Sequence, residues 1–123
     1  FRNKSVDFLF TCQTLEHVER PDKACSEIVR VAKRGFIDVP RITSEMHMGH
    51  SEHRWYIDYI DKTLVFRRKP ATTVVSPYFG SYALNAYSFD PETALMVEYY
   101  YRNVSCVQLL WENSFFYKVL EWK

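Results

Sequence analysis

Glycine is nearly absent. The 123 residues hold three, Gly35, Gly49 and Gly80, and no two stand close enough to build a glycine-rich phosphate loop. A nucleotide site of that kind is therefore excluded from the chain. Charge of one sign is missing as well: 16 basic residues against 15 acidic ones leave +1. Such a balance gives no electrostatic case for a nucleic-acid or anionic-membrane partner, and neither is expected. No apolar run approaches the roughly 18 residues of a membrane-spanning helix, and a secretory signal peptide is not expected. Cysteine is scarce and odd in number, with Cys12, Cys25 and Cys106 far apart in apolar segments. A disulfide framework is not expected; three small buried thiols in a reducing, cytoplasmic setting are. What the chain has in quantity is aromatic side chains, 17% of it, within the length of one domain. It opens on Phe1 and enters a strand pattern almost at once, which reads as a chain cut from a longer one.

Residues 5–12, from Ser5 through Phe8 and Phe10 to Cys12, form a short apolar run, suited to a strand covered on both faces. From Pro21 the period becomes helical, with Ala24, Cys25, Ile28, Val31 and Ala32 in one stripe. Pro21 suits a first turn and Asp22 the positive end of the dipole. Lys33-Arg34-Gly35 is a stop signal, and Arg20 is a poor cap. Residues 36–40 read as a second strand, completing a βαβ unit. Residues 41–53 have no apolar period and read as a loop. Residues 54–60 and 64–68 alternate around Asp61-Lys62-Thr63 and predict a hairpin. Residues 76–101 predict two helical pieces broken at Asp90-Pro91. Residues 104–111 and 115–122 predict a terminal antiparallel hairpin.

The stretch 1–40 combines Asp7 at the strand start, Leu15-Glu16-His17-Val18, Arg30-Val31-Ala32-Lys33 before Gly35, and a strand ending at Pro40. In this it resembles the second half of a class I S-adenosylmethionine-dependent methyltransferase of the type 11 group. The resemblance implies an α/β fold: the C-terminal portion of a Rossmann-like methyltransferase sheet, with an inserted hairpin and a terminal antiparallel hairpin. It divides a single partial domain into a βαβ core at 1–40, an acceptor-side region at 41–101 and the hairpin at 102–123. It implies S-adenosylmethionine as cofactor, a small-molecule methyl acceptor, and a missing N-terminal half of the same domain. Without that half, the isolated chain is expected to be inactive, to bind cofactor weakly or not at all, and to be marginally stable or to self-associate through its exposed first strand.

In open α/β sheets, ligands sit beyond the carboxyl ends of the strands. With the resemblance, that rule makes Cys12, Gln13, Thr14 and His17 the expected cofactor neighbours, with Leu15 nearby. Leu15 and Val18 read better as anchors of a short helix, and Glu16 and His17 as its caps or braces. Some related methyltransferases hold a metal on Glu-x-x-Glu-His; here Gln13 stands in the first acidic position, and no metal is expected. His47, His50 and His53 recur at a spacing of three, but Gly49 argues against the helix that would align them. They read as a polar loop after the second strand; the resemblance implies that this loop lies over the active site and meets the acceptor, where His50, His53 or Glu52 is a candidate general base. Methyl transfer needs no universal catalytic residue, because the sulfonium is already activated. The competing reading is a non-catalytic α/β binding or scaffold module that kept the framework of the fold. A metal-dependent hydrolase using the histidine loop is a third.

Overall fold

A computed structural model describes residues 1–70, 92 and 102–121 of the chain. β1 (Leu9–Cys12) turns Leu9 and Thr11 inward and Phe10 and Cys12 outward, the period-two alternation of a half-buried strand. α1 (Pro21–Val31) follows, with Pro21 in its first turn and Cys25, Ile28 and Val31 buried along one stripe. Arg20 provides no side-chain cap; its guanidinium instead holds Asp22 through hydrogen bonds of 3.0 and 2.6 Å. At the far end Lys4 Nζ donates to the carbonyls of Val29 and Ala32 at 2.6 and 2.9 Å, where a helix leaves its last acceptors unpaired. β2 (Arg34–Pro40) then runs parallel to β1, pairing Leu9 with Gly35 and Cys12 with Asp38. The strand–helix–strand unit expected from the sequence is present.

Residues 41–53 are not all loop. α2 (Ile42–Met48) occupies the first part and ends at Gly49, whose φ of 61° is the left-handed conformation of a helix stop. The helix was invisible to hydrophobic periodicity because its deeply buried side chain is a carboxylate, Glu45. β3 (Trp55–Ile60) and β4 (Thr63–Arg68) form the predicted hairpin. Its turn residues Asp61 and Lys62 both have positive φ, 47° and 60°, as a two-residue turn of the primed type requires. The helical pieces expected at 76–101, with their break at Asp90-Pro91, lie outside the described residues apart from Glu92.

The terminal runs depart from expectation. α3 (Arg102–Ser105) leads into β5 (Cys106–Glu112), and β6 (Phe116–Leu120) follows, but these two strands do not form a ladder with each other. β5 runs antiparallel to β2, from Arg34 opposite Glu112 to Pro40 opposite Cys106. β6 runs parallel to β4, from Thr63 opposite Phe116 to Arg67 opposite Leu120. Asn113, at φ 65°, turns the chain between them; its N–H bonds Lys33 O at 2.8 Å and its carbonyl accepts from Lys4 Nζ at 2.7 Å. Each strand thus completes the open edge of an earlier one.

The result is a mixed α/β arrangement of two three-stranded sheets, β1-β2-β5 and β3-β4-β6. One apolar cluster joins them: Ile37, Val39, Val107 and Trp111 of the first sheet with Trp55, Ile57, Leu64 and Phe66 of the second, and Cys25, Ile28 and Val31 of α1. The core therefore lies on a single face of β1-β2-β5. On the other face Phe10 is 62% exposed and Leu110 71%, with Phe10 stacked on Phe36 at 5.6 Å between centroids. A β1 covered on both faces is thus corrected to a strand with one open, aromatic face. Cys12, also on that face, is exposed, whereas Cys25 and Cys106 are buried as expected. Among the described residues, no helix is long and apolar enough to cross a membrane.

Candidate functional site

Two polar clusters lie on this frame, and the sequence-predicted residues divide between them. The first surrounds Asp38, an acidic residue in the middle of β2, beside the carboxyl end of β1. Gln13 follows β1 with φ at 50°, so the chain turns out of the sheet directly after Cys12. That turn lets Gln13 bond Asp38 twice, from its backbone N–H to Asp38 O at 2.9 Å and from Nε2 to Oδ1 at 2.8 Å. Arg102 reaches the same carboxylate from α3, with Nε at 3.0 Å from Oδ2 and Nη2 at 2.9 Å from Oδ1. Gln108 of β5 adds a bond to Oδ2 at 3.0 Å. Burial alone would push the Asp38 carboxyl up. The hydrogen bonds from Arg102, Gln108 and Gln13 outweigh it and hold the group below the usual carboxylate range. Asp38 in turn raises the guanidinium of Arg102.

Cys12, Gln13 and Thr14 are brought together at this edge, all three exposed, with Thr14 Oγ1 bonding Cys12 O at 2.9 Å. The Cys12 thiol sits 3.5 Å from Arg102 Nη2. Leu15 turns inward to 2% exposure and belongs to the core, as its anchoring reading predicts. His17 does not join this group. Sequence reasoning missed Asp38 and Arg102 as partners, although a charged residue between Ile37 and Val39 in a buried strand was a visible signal for the first.

The second cluster forms where β3 starts. Arg54 N bonds Glu16 O at 2.7 Å and Trp55 Nε1 bonds Val18 O at 2.7 Å, which lays residues 53–55 against residues 16–18. His17, His50 and His53 meet there: the His53 ring lies 4.7 Å from each of the other two. His53 is mostly buried, and its Nδ1 pairs with Glu45 Oε2 at 2.5 Å. Lys69 Nζ takes the other oxygen of Glu45 at 2.5 Å and bonds His50 O at 2.8 Å. For Glu45, burial pushes the carboxyl up, but His53 and Lys69 together bring it below the usual range. His17 keeps 45% of its side chain exposed and directs Nδ1 to Glu52 O at 3.3 Å. His50 is exposed. His47 falls within α2, and the left-handed Gly49 breaks the helix between it and His50.

Glu16 is the unsatisfied member of this cluster. It is completely buried, and neither carboxylate oxygen accepts a hydrogen bond. Desolvation is the main effect and raises its carboxyl, against weaker lowering by its own backbone N–H and by His53 and His17. Beside the cluster, residues 51–54 and 68–70 line an open, polar cleft of about 430 Å³. Glu45, Glu16 and Lys69 were not foreseen in these roles, because the contacts that define them join positions far apart in the chain.

Residues 1–37 match the family model described as a methyltransferase domain, and the match supports a methyltransferase domain in this part of the chain. No curated protein and no solved structure matches the chain.

Proposed function

We propose that the chain belongs to a methyltransferase that uses S-adenosylmethionine, and that it supplies the wall of the active site built from β1, β2 and β5. The observation that carries this reading is the coincidence of the matched residues 1–37 with a parallel β1–α1–β2 unit whose carboxyl-end edge is exposed and polar. Ligands of open α/β sheets sit at such an edge. A parallel pair completed by an antiparallel β5 also fits the outer strands of a Rossmann-like sheet.

The residues present suit one end of the cofactor. Cys12, Gln13 and Thr14 are exposed, and the left-handed turn at Gln13 lifts the backbone toward a ligand above the strand ends. Asp38, tied to Gln13, Arg102 and Gln108, fixes that turn. With three glycines dispersed along the chain, no turn here suits a phosphate- or ribose-type cradle, and the nucleoside end needs residues from elsewhere. When bound, the cofactor supplies a methyl group on an activated sulfonium. The chain's own task is then to orient the methionine portion, exclude water and hold the acceptor in line. The cleft at residues 51–54 and 68–70 has the size for a small-molecule acceptor, and exposed His50, next in the chain to Ser51 of its lining, is assigned as the group that takes a proton from it. His53, held by Glu45, braces the ring of His50.

Thiol labelling tests the placement. Millimolar S-adenosylhomocysteine is expected to slow alkylation of Cys12 several-fold while leaving Cys25 unaffected, and Gln13→Ala to remove the protection. Equal Cys12 labelling with and without the ligand would sink the reading.

A further inference from the structure

The Glu16 carboxylate poses a question that methyl transfer does not answer. A carboxylate with no solvent and no hydrogen bond is costly to keep, unless a cation or a proton accompanies it. Two imidazoles stand beside it. One potential ligand atom from each of Glu16, His17 and His53 lies within 4.8 Å of the others, and His17 Nε2 is 3.8 Å from Glu16 Oε1.

Both rings are already turned for coordination. His17 directs Nδ1 to the Glu52 carbonyl and His53 directs Nδ1 to the Glu45 carboxylate. In each case Nε2 is the nitrogen left to bind. Histidine ligands characteristically donate their other ring N–H to a carbonyl or carboxylate in this way, which fixes the tautomer and strengthens the ligand. Lys69 supports the second of these bonds by holding the other oxygen of Glu45.

We propose that Glu16, His17 and His53 form a binding site for a divalent transition-metal ion of the zinc type. Two imidazoles and one carboxylate suit zinc, cobalt or a similar ion, and disfavour calcium and magnesium, which select oxygen donors. Gln13 takes no part, since its side chain is committed to Asp38 on the other cluster. Bonds of about 2.1 Å place tetrahedral ligands roughly 3.4 Å apart, so the three side chains close by about 1 Å when the ion binds. The partly exposed His17 leaves a solvent route and an open coordination position on that side. Glu16 neutralises half the ion's charge, while Glu45, already paired with Lys69, orients His53 from behind. The site goes beyond methyl transfer and stands whether or not the chain binds S-adenosylmethionine.

Calorimetry and cobalt absorption test it on the full 123-residue chain, purified without a histidine tag. One zinc per chain with micromolar or tighter affinity is expected, together with cobalt bands of a four- or five-coordinate nitrogen–oxygen site. His17→Gln, on an exposed side chain that leaves folding intact, is expected to weaken binding by about 100-fold or more. Glu16→Gln is expected to do the same while leaving the metal-free chain at least as stable, because it relieves a buried unpaired charge. Absence of a 1:1 complex in the unaltered chain would overturn the proposal. So would affinity in both variants undiminished from that of the unaltered chain, which would assign the metal to other histidines.

Discussion

Replacing Asp38 by Asn keeps the size of the side chain and removes its charge. Four hydrogen bonds from nitrogen converge on the carboxylate, one each from Gln13 and Gln108 and two from Arg102, at 2.8–3.0 Å, beside a weaker one from Cys12 Sγ at 3.9 Å. An amide offers one oxygen, and its NH₂ group faces donors where the carboxylate met them, so half of the set is lost and the rest is strained. Hydrogen bonds to a charged group contribute about 1.5–3 kcal/mol each, and breaking a fully buried pair costs about 3–5 kcal/mol. Arg102 is 28% exposed and regains water, which reduces the loss. A destabilisation of about 2–4 kcal/mol is expected at pH 7, read by urea unfolding through the fluorescence of buried Trp55 and Trp111. The pH dependence supplies a second reading. The folded Asp38 carboxyl lies below its unfolded value, so its stabilisation is complete above that value and is lost as pH falls through the folded one. The gap between the parent and the variant is therefore flat from about pH 7 to pH 5 and narrows below about pH 4. A change under about 0.5 kcal/mol, or a gap that does not narrow in acid, would refute the role of Asp38 as the centre of this network.

Gly35→Ala tests the spacing of the first sheet. A Cβ there lies 2.2 Å from the Leu9 carbonyl oxygen and 2.9 Å from Trp111 Cζ2, and the backbone of β1 cannot yield locally. A loss of about 3 kcal/mol or more in denaturant unfolding is expected, and a cost under about 1 kcal/mol would place β1 elsewhere. Thiol counting tests the two faces. Cys12 is exposed, whereas burial pushes the Cys25 thiol up to about 12 and also raises that of Cys106. One fast-reacting thiol per native chain is expected with a colorimetric disulfide reagent, and a second fast thiol would contradict the core described.

The parts of this fold that were legible in the sequence share one property: their signals are local. The stripe from Cys25 to Val31 repeats every turn of one helix, and the Asp61-Lys62 turn joins strands that are neighbours in the chain. The parts that were not legible are settled by choice among distant partners. Residues 106–112 and 116–120 alternate as strands should, but nothing within them says that β2 and β4 offer better edges than they offer each other. α2 escaped notice for another reason. Hydrophobic periodicity assumes that helices are held by apolar side chains, and this one buries Glu45 against His53 and Lys69.

The candidate site divides along the same line. Placing Cys12, Gln13 and Thr14 at one edge required only that a strand end after Thr11-Cys12, which its composition states. Placing His17 required knowing which way the chain turns after Thr14 and what arrives opposite it. The bonds from Arg54 N to Glu16 O and from Trp55 Nε1 to Val18 O bring His53 there, and neither is encoded in the spacing of histidines. The histidine that spacing grouped with His50 and His53 was His47, and Gly49 separates it from them. Glu16 and His17, adjacent in the chain but read apart from the histidine loop, are the residues that meet His53. Sequence distance ranks neighbours along the chain, whereas side chains are brought together by backbone contacts between distant segments. Local patterns here identify the elements, and two hydrogen bonds between distant segments assemble the chemistry.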